Sequence, residues 1–401
     1  MKNIYFLFVL LSGSLAAQQI TIKGFLKDAL TNEPIISASV GVKNTAIGTV
    51  SNEEGNFQLS LPKSADVVIT YLGYKTVNIP AASFDTAIKT LVLEPDEQLL
   101  EEVVVSKVSI DKLLKTLITS SIARFNKPII LHTYYREFVK VNGQYSKFSD
   151  GLLDYHISGS TKKNKSDLIV KQSRTAQLFT NEEVEEESVE IDSFVNVLKG
   201  VTYNYDFTFV KDLLLEDGNY NNYELEIKSR KDKQGKELYA ITFEPKEGKG
   251  AVYKGSITYD PETKLIFDID VDLISGPVQF KERNFLIARV TFMNSTIKAV
   301  YKMSGNNYVL AYANRYNKLR ITMQKRKFDK TIESKSDMVV TDLSVDDLSY
   351  NKKEIYKAKD LYSRGNHYTD KFWLKNNSMV LTAEEQKIIE RIEKEQAQKP
   401  Q

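Results

Sequence analysis

Cysteine is missing from all 401 residues. Disulfides therefore cannot hold the fold, and no cysteine near the amino terminus can take a lipid anchor. Histidine is almost as scarce, with only His132, His156 and His367 present, so a site with several histidine ligands or a histidine-based triad has little to draw on. No zinc-protease helix, nucleophile elbow or phosphate loop occurs, and neither a cofactor nor a metal is expected. An excess of one charge is lacking too: 55 basic and 53 acidic residues leave +2, which points to neither nucleic acid nor an anionic surface. Beyond the first residues, no apolar run approaches the roughly 20 that a bilayer-spanning helix needs, so no transmembrane segment is expected in the mature chain. A single Trp stands beside 22 Tyr and 19 Phe, a balance suited to pleated strands, where aromatic side chains pack across neighbours.

What is present begins with Met1-Lys2-Asn3, an apolar run from Ile4 to Leu11, and small residues through Ala16-Ala17. One early positive charge, a short greasy stretch and a small-residue end form a secretory signal, expected to occupy residues 1–17. Short β signals cut by turns then follow. Ile20 to Leu26 alternates with period two, and Thr31-Asn32-Glu33-Pro34 supplies a tight turn. Ser37 to Val42, Thr49 to Ser51, Asn56 to Leu61, Val67 to Leu72 and Ile88 to Leu93 read as further strands. Gly55 is expected to close a hairpin after Asn52-Glu53-Glu54 through a positive φ. Evenly spaced short strands with no helix between them predict an antiparallel two-sheet sandwich over 18–94.

Gly24-x-x-x-Asp28, Thr31-x-Glu33-Pro34, Gly48-Thr49, Gly55-x-Phe57 and Tyr71-Leu72-Gly73-Tyr74 stand in the order of the carboxypeptidase regulatory-like domain, which this stretch resembles. That family is a prealbumin-like β-sandwich common at the amino terminus of Gram-negative envelope proteins, an accessory module and not a protease. The resemblance implies export to the periplasm or to the periphery of the outer membrane. Nothing within 20–93 can catalyse, because the stretch holds neither His nor Cys and its glycines serve turns.

Residues 95–106 read as a linker. Within it Leu99 to Val105 resembles the Leu-x-Glu-Val-Val-Val segment that follows the same sandwich in TonB-dependent receptors. Some 300 residues are too few for the plug and barrel of those receptors. Glu101, Glu102, Val103, Val104 and Val105 are therefore taken as a linking strand and as a candidate partner-contact segment.

From 107 to 375 the pattern predicts one helix and a long β meander. Ile110, Leu113, Leu114, Leu117, Ile118, Ile122 and Phe125 recur at three- and four-residue steps, placing a helix over 106–125 with its apolar stripe on a sheet. Asn142-Gly143 between two aromatic runs is a hairpin signal. Strands are expected at 223–228, 238–243, 255–259, 265–273, 285–293, 308–315 and 319–323, and Asp260-Pro261 supplies a turn. The fold class is thus mostly β: an antiparallel sandwich followed by a larger, curved, open antiparallel sheet packed on one amphipathic helix. This outline resembles the LolA/LolB-type lipoprotein carriers, a half-barrel with an apolar inner face, and the resemblance implies a lipid or other hydrophobic ligand. Thr382-Ala383-Glu384-Glu385 has capping-box form and opens a charged helix in the 376–401 tail. That helix has an apolar edge of only Ile388, Ile389 and Ile392, so Phe372-Trp373-Leu374 is the expected anchor.

Candidate chemistry is sparse. His132 or His156 with an Asp is the sole general-base option, and each is most simply a strand-end histidine. Asp268, Asp270 and Asp272 alternate along one strand face; they carry the oxygen ligands calcium prefers, yet Leu273 stands where a calcium loop requires Gly, so a solvated face is expected. Glu182 to Glu187, Lys162 to Lys165 and Lys325 to Lys327 read as solvated loops. The sequence thus predicts a non-enzymatic binding or structural protein whose partner is an envelope protein or a hydrophobic ligand. The alternatives are an accessory of TonB-dependent uptake and an uncharacterised hydrolase.

Overall fold

The computed structural model describes residues 19–45, 47–71, 74–84, 88–95, 101–102, 109–125, 127–160, 164–177, 196–231, 237–249, 252–274, 283–285, 288–323, 328–367 and 379–397. The expected signal region 1–17, Val103 to Val105, the 182–187 acidic run, Lys325 to Lys327 and Phe372 to Leu374 lie outside them. The chain forms two compact units, 1–96 with 372–382, and 97–371 with 383–401.

The first unit has two sheets. Strand β1 (Gln19–Asp28) lies between β4 (Asn56–Pro62) and β7 (Lys89–Leu93), while β3 (Gly48–Val50), β2 (Ser39–Val42), β5 (Asp66–Thr70) and β6 (Val77–Pro80) form the second. Alternation in β1 buries Ile22, Gly24, Leu26 and Asp28, and Leu26, Val40, Phe57, Leu59, Val67, Ile69 and Leu93 meet in one apolar core. Two details differ from expectation. Strand β7 pairs with β1 in parallel, because the chain crosses from one sheet to the other before returning. Gly55 does adopt a positive φ of 75°, but β3 and β4 belong to different sheets, so the turn is a corner and not a hairpin. Asn52 builds that corner, its side-chain oxygen accepting from the N–H of Glu54 and Asn56 at 3.0 and 2.9 Å.

Several of the resemblance-bearing residues have structural work here. A Cβ on Gly24 would stand 2.3 Å from the Phe57 ring, so the strand can hold only glycine beside that ring. The Asp28 carboxylate accepts from the N–H of Leu30 and Thr31 at 2.6 and 2.7 Å and from the Tyr74 hydroxyl. These bonds close the turn and tie it to the strand end.

The second unit is an open antiparallel sheet in the order β11-β10-β9-β19-β18-β17-β15-β14-β13-β12-β8, with β16 beside β17. The strands are β8 (Glu101–Glu102), β9 (Ile129–Val141), β10 (Gln144–Gly159), β11 (Asn164–Gln177), β12 (Tyr223–Lys231), β13 (Glu237–Pro245), β14 (Tyr253–Tyr259), β15 (Ile266–Leu273), β16 (Arg283–Phe285), β17 (Ala288–Ser304), β18 (Asn307–Met323) and β19 (Phe328–Ser344). Helix α1 (Ile110–Arg124) buries Leu113, Leu114, Leu117, Ile118 and Ile122 on one face. A second helix, α2 (Val197–Tyr205), buries Val197, Val201 and Tyr205 at four-residue steps.

One core cluster takes side chains from β11 at one side of the sheet to β12 at the other, together with both helices. Ten strands laid flat would span about 45 Å at their usual spacing, whereas two helices side by side cover about 20 Å. The sheet must therefore curl around them. Directly beneath α1 this inner face is filled: Phe125 stacks on Tyr205 at 4.0 Å and on Tyr308 at 4.7 Å, with Phe207 and Tyr301 packed alongside.

The outer face carries a buried polar layer that no sequence pattern announces. Arg136 on β9 is wholly buried and bonds to Asp337 of β19 at 3.0 Å and to Glu385 at 3.3 Å. Glu385 comes from α3 (Ala383–Ala397), so the charged tail helix is docked through a buried ion pair in addition to its apolar edge at Ile389. Tyr312 and Asn314 donate to Asp337, each at 2.8 Å. Burial opposes ionisation of Asp337, but the neighbouring Lys335 and Arg136 cations with these two donors outweigh it and hold the carboxyl at about 2.

Candidate functional site

The first two residues of the expected contact segment, the part that lies among the described residues, are found on the sheet itself. Glu101 and Glu102 form β8 and pair with Ser229 and Lys228 of β12, adding a strand in cis to the edge of this chain's own sheet. The three aspartates do share the outer face of β15, but half-buried and not freely solvated: Asp270 meets Lys298 at 3.4 Å and Asp272 accepts from Thr296 at 3.0 Å. Their partners on β17 sit directly across the ladder. Among the described residues no cluster of His, Asp and Glu is placed to hold a metal.

His132 shows more order than its sequence context suggests. Its Nδ1 lies 2.7 Å from Asp154 Oδ1 and its Nε2 2.9 Å from Ser344 Oγ. The Asp154 bond outweighs partial burial and raises the imidazole's pKa. Ser-His-Asp in that sequence of bonds is the order of a hydrolase triad. Reaction would further require donors aimed at a developing oxyanion. The neighbouring Leu343 N–H is engaged by Asp342 at 2.8 Å, and these side chains occupy the outer face, away from the cavity described next. The bonds link β10, β9 and β19. His156 is separate: burial lowers its pKa, and its ring packs 4.0 Å from Tyr350. His367 pairs with Ser173 beside β11.

On the inner face a cavity of about 320 Å³ opens between α2 and strands β9, β10 and β17 to β19. Its apolar wall is Phe209, Phe292, Ile297, Ala313 and Met338, joined by the rings of Tyr135, Tyr155 and Tyr203. Its polar lining is Asn196, Lys199, Asn204, Asn314, Arg315, Asn317 and Ser336. The lid helix is fixed at both ends. Tyr155 donates to the Val197 carbonyl at 2.9 Å and Tyr301 to the Asn204 carbonyl at 2.8 Å, while the Asn196 side chain caps the first turn through the Lys199 N–H at 2.9 Å. The position of α2 is thus set by hydroxyls from strands on opposite sides of the cavity. Gly200 faces the space directly: a Cβ built there meets no atom within 4 Å.

Each of the four amides has one polar atom engaged within the protein. Asn196 accepts from Lys199; Asn204 donates to Gly200 O at 2.7 Å; Asn314 donates to Asp337; Asn317 pairs with Ser295 at 3.0 Å. Such a volume holds about ten water-sized groups and lies at the lower end of the range of small-molecule sites. The arrangement can enclose one compact molecule, gripped by rings and aliphatic side chains. The sequence reading expects an apolar inner face packed on one helix, and beneath α1 aromatic side chains of the chain itself fill that face. It missed α2, although Val197, Val201 and Tyr205 at i, i+4 and i+8 were visible.

Residues 22–105 match the model of the CarboxypepD_reg-like domain. The chain is 42% identical over 97 residues to the TonB-dependent receptor SusC of Bacteroides thetaiotaomicron, covering 24% of this chain and 9% of that receptor. It is 33% identical over 107 residues to the TonB-dependent receptor P3 of Formosa agariphila, covering 26% and 10%. The chain therefore spans about a tenth of the length of these curated relatives. Among solved structures, an outer membrane lipoprotein-sorting protein domain from Vibrio parahaemolyticus aligns with 61% of this chain and 96% of its own, at 13% identity and a TM-score of 0.27. At that level the fold of the large unit is given by its own strands.

Proposed function

We propose that this chain is an exported envelope protein that binds rather than reacts, holding a small hydrophobic or amphipathic molecule in the cavity under α2. The observation that carries this reading is the cavity's construction: strand-borne walls and a helix pinned at both ends enclose about 320 Å³ lined by rings and aliphatic side chains. Binding sites of this kind are largely preformed. The amino-terminal stretch shared with two TonB-dependent receptors supports an envelope location and a contact role for the sandwich. Titration of the full chain with a neutral solvatochromic naphthalene ketone tests the ligand reading. Saturable, blue-shifted emission that disappears in Gly200→Leu is expected, and emission that is unchanged in that variant would refute it.

A second reading is an accessory role in TonB-dependent uptake through residues 101–105, favoured by the shared sandwich. Pull-down from envelope extracts with and without that segment separates the two, and unchanged partners would remove the second.

A further inference from the structure

The polar groups that a ligand in the α2 cavity would meet are unequal in kind. The lining includes two cations, Lys199 on α2 and Arg315 on β18, and no carboxylate. Both cations are exposed, and among the described residues neither forms an ion pair. By contrast, Lys298 on β17, Lys318 and Arg320 on β18 itself and Lys335 on β19 each have an acidic partner. Each amide around the cavity has one polar atom bonded within the protein, as described above. The full charge a ligand would meet is therefore positive only, set beside an apolar wall.

We propose that the ligand is an anionic amphiphile: an apolar body of about ten to fifteen non-hydrogen atoms, the size the volume admits, bearing one carboxylate, sulfate or phosphate that Lys199 and Arg315 engage. This rests on the reading of the cavity as a ligand site and adds the class of ligand. Arg315 supplies the planar fork suited to an oxyanion and Lys199 a mobile point charge. A single short chain fits, whereas a two-chain lipid exceeds the space.

The test is calorimetric titration of the full chain with decanoate, decyl sulfate and decanol, each below its aggregation concentration, in wild type and in Lys199→Met/Arg315→Gln. Both positions are exposed and, among the described residues, without ion pairs, so the double variant keeps the fold, which its unfolding temperature verifies. The expected result is binding of decanoate and decyl sulfate at least tenfold tighter than decanol. That preference should shrink with added salt and vanish in the double variant, while decanol binding is unchanged. If only one of the two anions binds tightly, it identifies the head group. Decanol bound as tightly as the anions in wild type would overturn the anionic preference while leaving the cavity reading standing. Absence of binding by all three, together with a silent neutral naphthalene probe, would overturn both.

Discussion

Gly200 offers a perturbation whose effects on stability and on binding run in opposite directions. It occupies the interior of α2, where glycine is less favourable than alanine or leucine by about 0.5–1 kcal/mol. A Cβ there meets no atom within 4 Å, so Gly200→Ala should realise that gain in full. Gly200→Leu should realise it too, and its side chain would extend into the cavity that Gly200 lines. Four added carbons take up about 120 Å³ at about 30 Å³ per water-sized group. From about 320 Å³ that leaves roughly 200 Å³, below the range of about 300–1,000 Å³ typical of ligand sites. Thermal unfolding followed by circular dichroism should show both variants about 2–4 °C more stable than wild type. Probe titration should show Gly200→Ala binding nearly normally and Gly200→Leu hardly at all. A fall of several degrees in Gly200→Ala would mean that the space beside the helix is not open, and the geometric argument would fail. Raised stability with undiminished binding in Gly200→Leu would place the ligand elsewhere.

The remaining predictions concern the charges that hold the large sheet together. Asp337→Ala should cost about 3–5 kcal/mol in chemical denaturation, because it leaves Arg136 buried with half its partners gone; Glu385→Ala should cost less and should release α3, read as faster amide exchange over 383–397. Burial raises the Glu137 carboxyl from its ordinary 4.5 to about 7, against donors from Ser149, Tyr135 and the Tyr362 N–H. A raised folded-state pKa means stability that is full below the unfolded value and declines as pH rises through about 7. Wild type should therefore lose up to about 3 kcal/mol between pH 4.5 and 8 from this group, and Glu137→Gln should flatten that slope. Asp337 has the opposite sign: its contribution is present above about pH 4 and lost as pH falls toward 2. A fluorophosphonate probe should leave Ser344 unlabelled, and labelling abolished by His132→Ala would contradict a purely cross-strand role for that pair.

Legibility from sequence followed the range of the interactions involved. The sandwich was readable because its determinants are local: turn residues at fixed offsets, two-residue alternation, and motif positions such as Gly24 and Asp28 whose roles are steric or made within one turn. The Asn142-Gly143 hairpin and α1 were readable for the same reason, and Asn142 indeed takes a φ of 51° and Gly143 of 78°. Strand β19 was not. It reads Phe328-Asp-Lys-Thr-Ile-Glu-Ser-Lys-Ser-Asp, too polar for the middle of a sheet on its face, yet it lies between β9 and β18. Its burial is permitted by Arg136, which stands 201 residues away in sequence, and each of the two segments reads as misplaced until the other is known. Strand β11 was missed as well, along with the joining of two expected strands into the single β18.

The candidate site escaped for a related reason. Its walls come from five strands and a helix lying inside a stretch dominated by charge, and no two adjacent residues identify it. What the chain does contain is a set of local exceptions: a glycine inside a helix that alanine would favour, and two cavity-lining cations that form no ion pair among the described residues, while Lys318 and Arg320 on the same strand as Arg315 do. Each is a small loss of stability with no structural return. A helix in this position gains from Ala at 200, and a paired Arg315 would cross-link strands as Arg320 does with Asp329 at 2.6 Å. Departures of this kind gather where a protein keeps room or charge for something other than itself, and here they gather around one cavity.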